Sequence, residues 1–183
     1  MVIINLVELF GFRDQLQDTL SLVYTKPQIT RNQIIEHAKH QFYEGDVEHW
    51  WHKEAKKGIR TRFSDDLLWL AYVTLQYIKV THDFEILNEK VCYLEGEDLA
   101  HGEDEKYQQT RESTIFGSIY EHITKAILKS MNFGQHNLPL MGSGDWNDGM
   151  NTVGNQGKGE SVWLRIFLVL YIKRNASYMR KNE

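Results

Sequence analysis

Apolar residues recur along this chain at intervals of three and four, the period that puts side chains on one face of a helix. Residues 15–24 carry Leu16, Leu20 and Val23 on one such face. Pro27 interrupts, and 29–43 resumes the pattern with Ile34, Ala38 and Phe42 behind a candidate N-cap at Thr30. Ser64 is the candidate cap of the next helix, with Asp65 and Asp66 in its first turn, where the helix dipole favours acids. Leu68, Tyr72, Leu75 and Ile78 carry that helix to about residue 80. A shorter helix is expected over 84–93, and Ile115, Ile119, Ile123 and Ile127 mark an amphipathic one over 114–132. Residues 160–178 return to helix with Val162, Trp163, Phe167 and Leu170 inward. The stretch 95–113 is polar and acidic and reads as a solvated loop. The pattern predicts an all-α chain of about six helices with little strand.

Composition narrows the function classes. A chain of 183 residues suggests one domain, and a net charge of −4 with 42% apolar residues indicates neither nucleic-acid binding nor a disordered tail. The single cysteine, Cys92, excludes an internal disulfide framework and a multi-cysteine zinc site. No run approaches the roughly 18 apolar residues of a membrane helix. The apolar opening, 1–10, has no basic segment and is broken by Glu8, which argues against a signal peptide. A cytoplasmic location is the expectation.

The chemistry concentrates in 138–159, LPLMGSGDWNDGMNTVGNQGKG, which holds six of the thirteen glycines with Asp145, Trp146, Asn147, Asp148 and Asn151. Such a stretch is a surface loop first of all, since glycine at this density resists helix and strand. An aromatic ring flanked by carboxylates and an amide also suits a sugar: the ring stacks on the apolar face of a pyranose while the polar groups bond its hydroxyls.

This loop resembles the signature of the glycoside phosphorylases of glycoside hydrolase family 94. Three further blocks match in order: GFRDQLQD at 11–18, QFYEGDVEHWWH at 41–52 and GIRTRFSDDLLWL at 58–70. The wording is most similar to the β-1,2-glucan branch, which includes the C-terminal domain of cyclic β-1,2-glucan synthases. The resemblance implies a partial (α/α)6 barrel, about half of one catalytic domain, with 1–183 a fragment of it. In the synthases that domain would be on the cytoplasmic side of a membrane protein.

It also implies an activity: inverting phosphorolysis of a β-glucan or gluco-oligosaccharide by inorganic phosphate, giving α-glucose 1-phosphate. Asp148 matches the family's general acid, which must carry a proton near neutral pH, so burial and a neighbouring negative charge are expected there. Asp145 is a candidate for that neighbour or a turn-capping residue. Trp146 matches the tryptophan of the glucosyl subsite, though a loop tryptophan is also a common buried anchor. Arg13 and Asp14 match the pair that grips sugar hydroxyls; without the family they read as a salt bridge. Arg60, Arg62, Asp65 and Asp66 form a second charged block, either ligand-binding or, for the two acids, helix-capping.

No metal or cofactor is needed. His49 and His52 lack a second ligand pair at zinc spacing. An EF-hand loop starting at Asp145 would put Met150 at the invariant glycine and Gln156 at the bidentate glutamate. The sequence departs from the family at 2–10, at Asn137 and at Arg165-Ile166, and the resemblance implies that most of the phosphate site lies outside this stretch. The remaining parts of the same barrel are therefore expected partners. The competing readings are an inactive truncated remnant, a weak carbohydrate-binding module, or a hydrolase with an added carboxylate base. The choice between β-1,2 and β-1,4 linkages rests on wording alone.

Overall fold

The computed structural model describes residues 9–179, with side chains through residue 170. The signal-peptide reading of 1–10 therefore falls almost wholly outside the described residues. Helices and strands are interspersed along the chain: β1 (Leu9–Gly11), α1 (Phe12–Leu20), α2 (Pro27–Ala38), β2 (Glu48–His52), β3 (Lys57–Thr61), α3 (Asp66–Thr81), β4 (Lys90–Glu95), β5 (Glu105–Gln109), β6 (Arg111–Ser118), α4 (Ile119–Ser130), the short α5 (Asn151–Gly154) and α6 (Val162–Met179). The strands form two antiparallel sheets. The fold is mixed, which overturns the all-α class expected for a partial (α/α)6 barrel.

The strands were hidden for identifiable reasons. In β4, Val91, Cys92, Tyr93 and Leu94 are all buried, and a short continuous apolar run does not distinguish strand from helix by period. The expected helix over 84–93 is instead a single 3-10 turn (Glu85–Asn88) followed by that strand. The isoleucines from 115 onward span a strand and a helix. Ser118 ends β6 and caps α4, accepting from the Glu121 N–H at 3.2 Å while the Glu121 carboxylate accepts from the Ser118 N–H at 2.6 Å. Ile115 sits on β6, half-exposed, whereas Ile119 and Ile123 are buried on α4. Within the expected loop 95–113, β5 pairs with β3.

Other boundaries moved less. Pro27 starts α2 rather than breaking it, as its fixed φ permits at the first helical position. Thr30 is inside that helix, its hydroxyl donating to the Thr19 carbonyl at 3.0 Å. On α6, Leu164, Phe167 and Leu168 face inward, while Val162 and Leu170 are exposed.

Helix α3 is central. Its residues 66–71 are all buried, as an all-round apolar helix requires, and it packs against α1, α2, α4 and α6. Leu68 and Leu70 meet Phe12, Leu16, Ile34, Ile119, Leu164 and Leu168 in one core. Each such side chain contributes about 1.5–3 kcal/mol by leaving water. The four-stranded sheet, in the order β1-β2-β3-β5, lays Trp51 against this core, and β4–β6 forms a separate ribbon.

Candidate functional site

The Gly-rich loop is laced to the segment just before α3. Ser143 N–H donates to the Arg62 carbonyl at 3.2 Å, and Ser64 N–H donates to the Gly144 carbonyl at 3.0 Å. Gly142 between them has φ +68 and lies so close to the Arg62 carbonyl that a Cβ would not fit. Asp145 is buried beneath the loop. Its carboxylate accepts from the Asn147 N–H at 2.9 Å and the Ser161 hydroxyl at 2.6 Å, and Ser161 in turn accepts from Leu164 N–H at the start of α6. Asp145 is thus the turn-capping residue of the two readings the sequence left open.

This lacing carries Asp148 to Arg13. Arg13, at the start of α1 and nearly buried, donates Nη1 and Nη2 to the two carboxylate oxygens of Asp148 at 2.9 and 2.7 Å. The same Nη1 reaches Asp65 Oδ2 at 3.2 Å. Bidentate Arg–carboxylate pairs are geometrically specific as well as strong. Asp148 is half-exposed and its neighbour is a cation, so the burial and negative neighbour expected there are not found.

The acid with those properties is Asp65. It is fully buried beside Asp66, and its Oδ2 also accepts from the Trp69 indole N–H at 3.1 Å. Burial first, then the charge of Asp66, pushes its carboxyl up to about 7, against the pull of Arg13 and Trp69. Asp65 stands at the N-cap position of α3, where the sequence pointed to Ser64, but its side chain makes no capping bond, and neither does that of Asp66. Asp65 Oδ1 and Asp66 Oδ1 are both buried without a hydrogen-bond partner. With Asp65 Oδ2 already accepting from Arg13 and Trp69, the proton of the Asp65 carboxyl belongs on its Oδ1 atom.

Asp66 has its own partner, which the sequence reading weighed only as a metal ligand. His49 Nδ1 lies 2.7 Å from Asp66 Oδ2, with its ring stacked on Phe63 at 4.6 Å. Burial would lower the His49 pKa, but the charge and hydrogen bond of Asp66 more than offset this and raise it. The register of β2 on β3 shifts between Glu48 and Trp50, which makes His49 a bulged residue. Bulges re-aim side chains and favour the edges of active sites. A signal existed in the sequence, since four consecutive aromatic or imidazole rings do not fit a strict alternation.

The remaining expected residues divide. Trp146 is half-exposed on the loop, its ring 6.5 Å from that of Trp163, which continues through Phe167 to Trp69 beside Asp65. Asp14 is exposed and reaches Arg13 only at 3.4 Å. Both Arg13 and Asp14 line a cavity of about 190 Å³ with Leu9, Gly11, Gln15, His49 and Trp50. Arg60 is elsewhere. It is buried in a bidentate pair with Asp46 at 2.6 and 2.8 Å, over the Phe42 ring, and holds the Glu97 carbonyl. Arg62 clamps the carbonyls of Ala100 and Glu103. The structure therefore joins Arg13, Asp65, Asp66, Asp148 and His49 and leaves Arg60 and Arg62 as clamps of neighbouring loops.

Residues 6–183 match the family described as the glycosyl hydrolase 94 superfamily, catalytic domain. The chain belongs to that family. Family 94 is carbohydrate-active, and the relatives of this member are of two kinds. It is 44% identical over 175 residues to a cyclic beta-(1,2)-glucan synthase of Rhizobium meliloti, covering 95% of this chain and 6% of the synthase. It is 34% identical over 173 residues to solabiose phosphorylase of Paenibacillus borealis, covering 93% of this chain and 20% of that protein. An N,N'-diacetylchitobiose phosphorylase of Vibrio furnissii is 24% identical over 172 residues, covering 80% of this chain and 19% of that enzyme. This family 94 chain thus spans a fifth or less of the length of these relatives.

Proposed function

We propose that this chain forms the sugar-gripping and proton-donating part of a longer catalytic domain that cleaves β-glucosides, β-1,2-linked glucans foremost, with inorganic phosphate. The observation that carries the reading is the convergence of Arg13, Asp65 and Asp148, drawn from three of the four sequence blocks shared with the family, on one guanidinium.

In this reading a glucosyl unit stacks on Trp146 and takes over donors of Arg13, with Asp14 accepting from its hydroxyls. Asp148, released from the guanidinium, carries a proton and donates it to the glycosidic oxygen as the C1–O bond breaks. A phosphate oxygen attacks C1 from the opposite face, so the β-glucoside becomes α-glucose 1-phosphate and the glucan leaves one unit shorter. Phosphate is already an anionic nucleophile, so no second carboxylate has to activate it. Asp65 and Asp66, with His49, hold Arg13 in place from below. The 44% identity to a synthase of a β-1,2-linked glucan supports that linkage, and the phosphorylase relatives support phosphate as co-substrate.

The test is α-glucose 1-phosphate release from β-1,2-linked gluco-oligosaccharides by a longer polypeptide carrying this segment. Release that requires phosphate and disappears in Asp148→Asn, with sugar binding retained, supports the reading. Turnover unchanged in Asp148→Asn sinks the acid role, and hydrolysis without phosphate favours a hydrolase. The small share of its relatives that the chain spans favours a second reading for the chain alone, namely sugar binding without turnover.

A further inference from the structure

The outer face of the four-stranded sheet carries an aromatic strip that no part of the proposed chemistry uses. The register aligns Trp50 on β2 with Ile59 on β3 and Tyr107 on β5, so all three side chains share one face. The Trp50 and Tyr107 rings reach across Ile59 with centroids 5.4 Å apart and planes tilted by 36°. Ile59 beneath them is 7% exposed, whereas Tyr107 is 50% exposed. The neighbouring row on the same face adds Lys57 and Gln109, both exposed and polar.

Tyrosine and tryptophan rings present an apolar face and a polar edge, and such rings recur where a ligand has one apolar and one wet side. The strip is continuous with the candidate site. Trp50 is the link: it lines the same cavity as Arg13, Asp14 and His49, and its ring meets that of Tyr107 at 5.4 Å. A ligand following it would meet guanidinium and carboxylates first, then two aromatic rings flanked by amide and ammonium donors. That sequence of groups fits a chain of pyranose units, whose rings offer apolar faces for stacking and hydroxyls for the flanking donors.

We propose that the Trp50–Tyr107 strip is an extended subsite for the sugar units of a β-linked gluco-oligosaccharide beyond the one held at Arg13. The inference rests on the sugar-binding part of the proposed function. It makes the chain select for oligosaccharide length, because short sugars occupy the Arg13 end while longer ones extend past Trp50 to Tyr107.

Calorimetric titration of the 183-residue chain with glucose and with β-1,2-linked di-, tri- and tetrasaccharides tests it. The tetrasaccharide should bind about tenfold more tightly than the disaccharide. Tyr107→Ala should remove that gain, weakening the tetrasaccharide about tenfold and the disaccharide less than about twofold, because a ring contact worth about 1.4 kcal/mol is lost only where it is made. Tyr107→Phe keeps the ring and should keep the gain. Trp146→Ala should weaken every length alike. Equal affinity for all lengths, or a length gain that survives Tyr107→Ala, overturns the extended subsite and leaves the Arg13 site standing. Binding that depends on Tyr107 but not on Trp146 supports the strip and counts against the Arg13 site. Failure of every sugar to bind the folded chain overturns the sugar reading, and the strip with it.

Discussion

Arg13 and Asp148 are 135 residues apart in sequence and meet through two near-parallel hydrogen bonds of 2.9 and 2.7 Å. The pair holds the Gly-rich loop against the start of α1, while Arg13 also covers the buried Asp65. Asp148 is half-exposed, so its own share of stability is modest, and Asp65 is fully buried, so its share is not.

Above pH 7, where the Asp65 carboxyl is ionised, Arg13→Ala is therefore expected to cost about 3 kcal/mol, because it strips Asp65 of a buried cation. In an Asp65→Asn background the same substitution should cost at least about 1 kcal/mol less, since no buried charge is left uncompensated. Urea denaturation of the four proteins measures the coupling. Equal costs in both backgrounds would show that Asp65 does not depend on Arg13.

The Asp65 carboxyl also sets a pH dependence. Its folded value of about 7 lies above its ordinary 3.8, so the folded chain holds a proton that the unfolded chain has lost. The associated stability is fully present below about pH 4 and is lost as pH rises through 7. His37 and His122, lowered to about 4 chiefly by burial, act in the opposite sense but are common to wild type and variant. The stability difference should thus move in favour of Asp65→Asn as pH rises from 4 to 7, by at most about 1.4 kcal/mol per unit. A difference that is flat with pH would refute the raised carboxyl.

Gly142→Ala tests the lacing of the loop. The positive φ and the adjacent Arg62 carbonyl leave no place for a methyl group. The substitution should cost more than about 1 kcal/mol and loosen Asp148 from Arg13. Thermal unfolding reads the first effect, and faster amide exchange at 145–150 reads the second. Gly157→Ala is the control: its φ is also positive, but nothing lies within contact of a Cβ, so it should cost less.

Asp145→Ala should behave as the loss of a structural anchor. It removes acceptors from the Asn147 N–H and the Ser161 hydroxyl and is expected to cost about 1–3 kcal/mol. If Asp145→Asn lost sugar binding while unfolding like wild type, the anchoring role would be wrong.

The sequence was most readable where chemistry is dense. Arg13, Trp146 and Asp148 stand out in short blocks of unusual composition, and the structure brings Arg13 to Asp148 across the whole chain. Arg60 was chosen by its nearness in sequence to Asp65, but the strand carries its side chain to the inner face, over Phe42. His49 reads from the sequence only as a metal ligand; the run of four rings hints at the bulge, but the pairing with Asp66 comes from the tertiary structure. The strands escaped for a related reason. Four of the six are five residues long or fewer, and β5, EKYQQ, has one aromatic among polar residues, so its identity comes from its pairing with β3. The capping box at Ser118 and Glu121 was legible and would have moved the start of α4 past Ile115.

The most direct test of the central claim is a two-dimensional amide NMR titration of the chain with β-1,2-linked glucobiose. If the sugar site is the one organised by Arg13, shifts will concentrate at Arg13, Asp14, His49, and the loop from Trp146 to Asp148. Shifts confined to other surfaces, or none at saturating sugar, would contradict it.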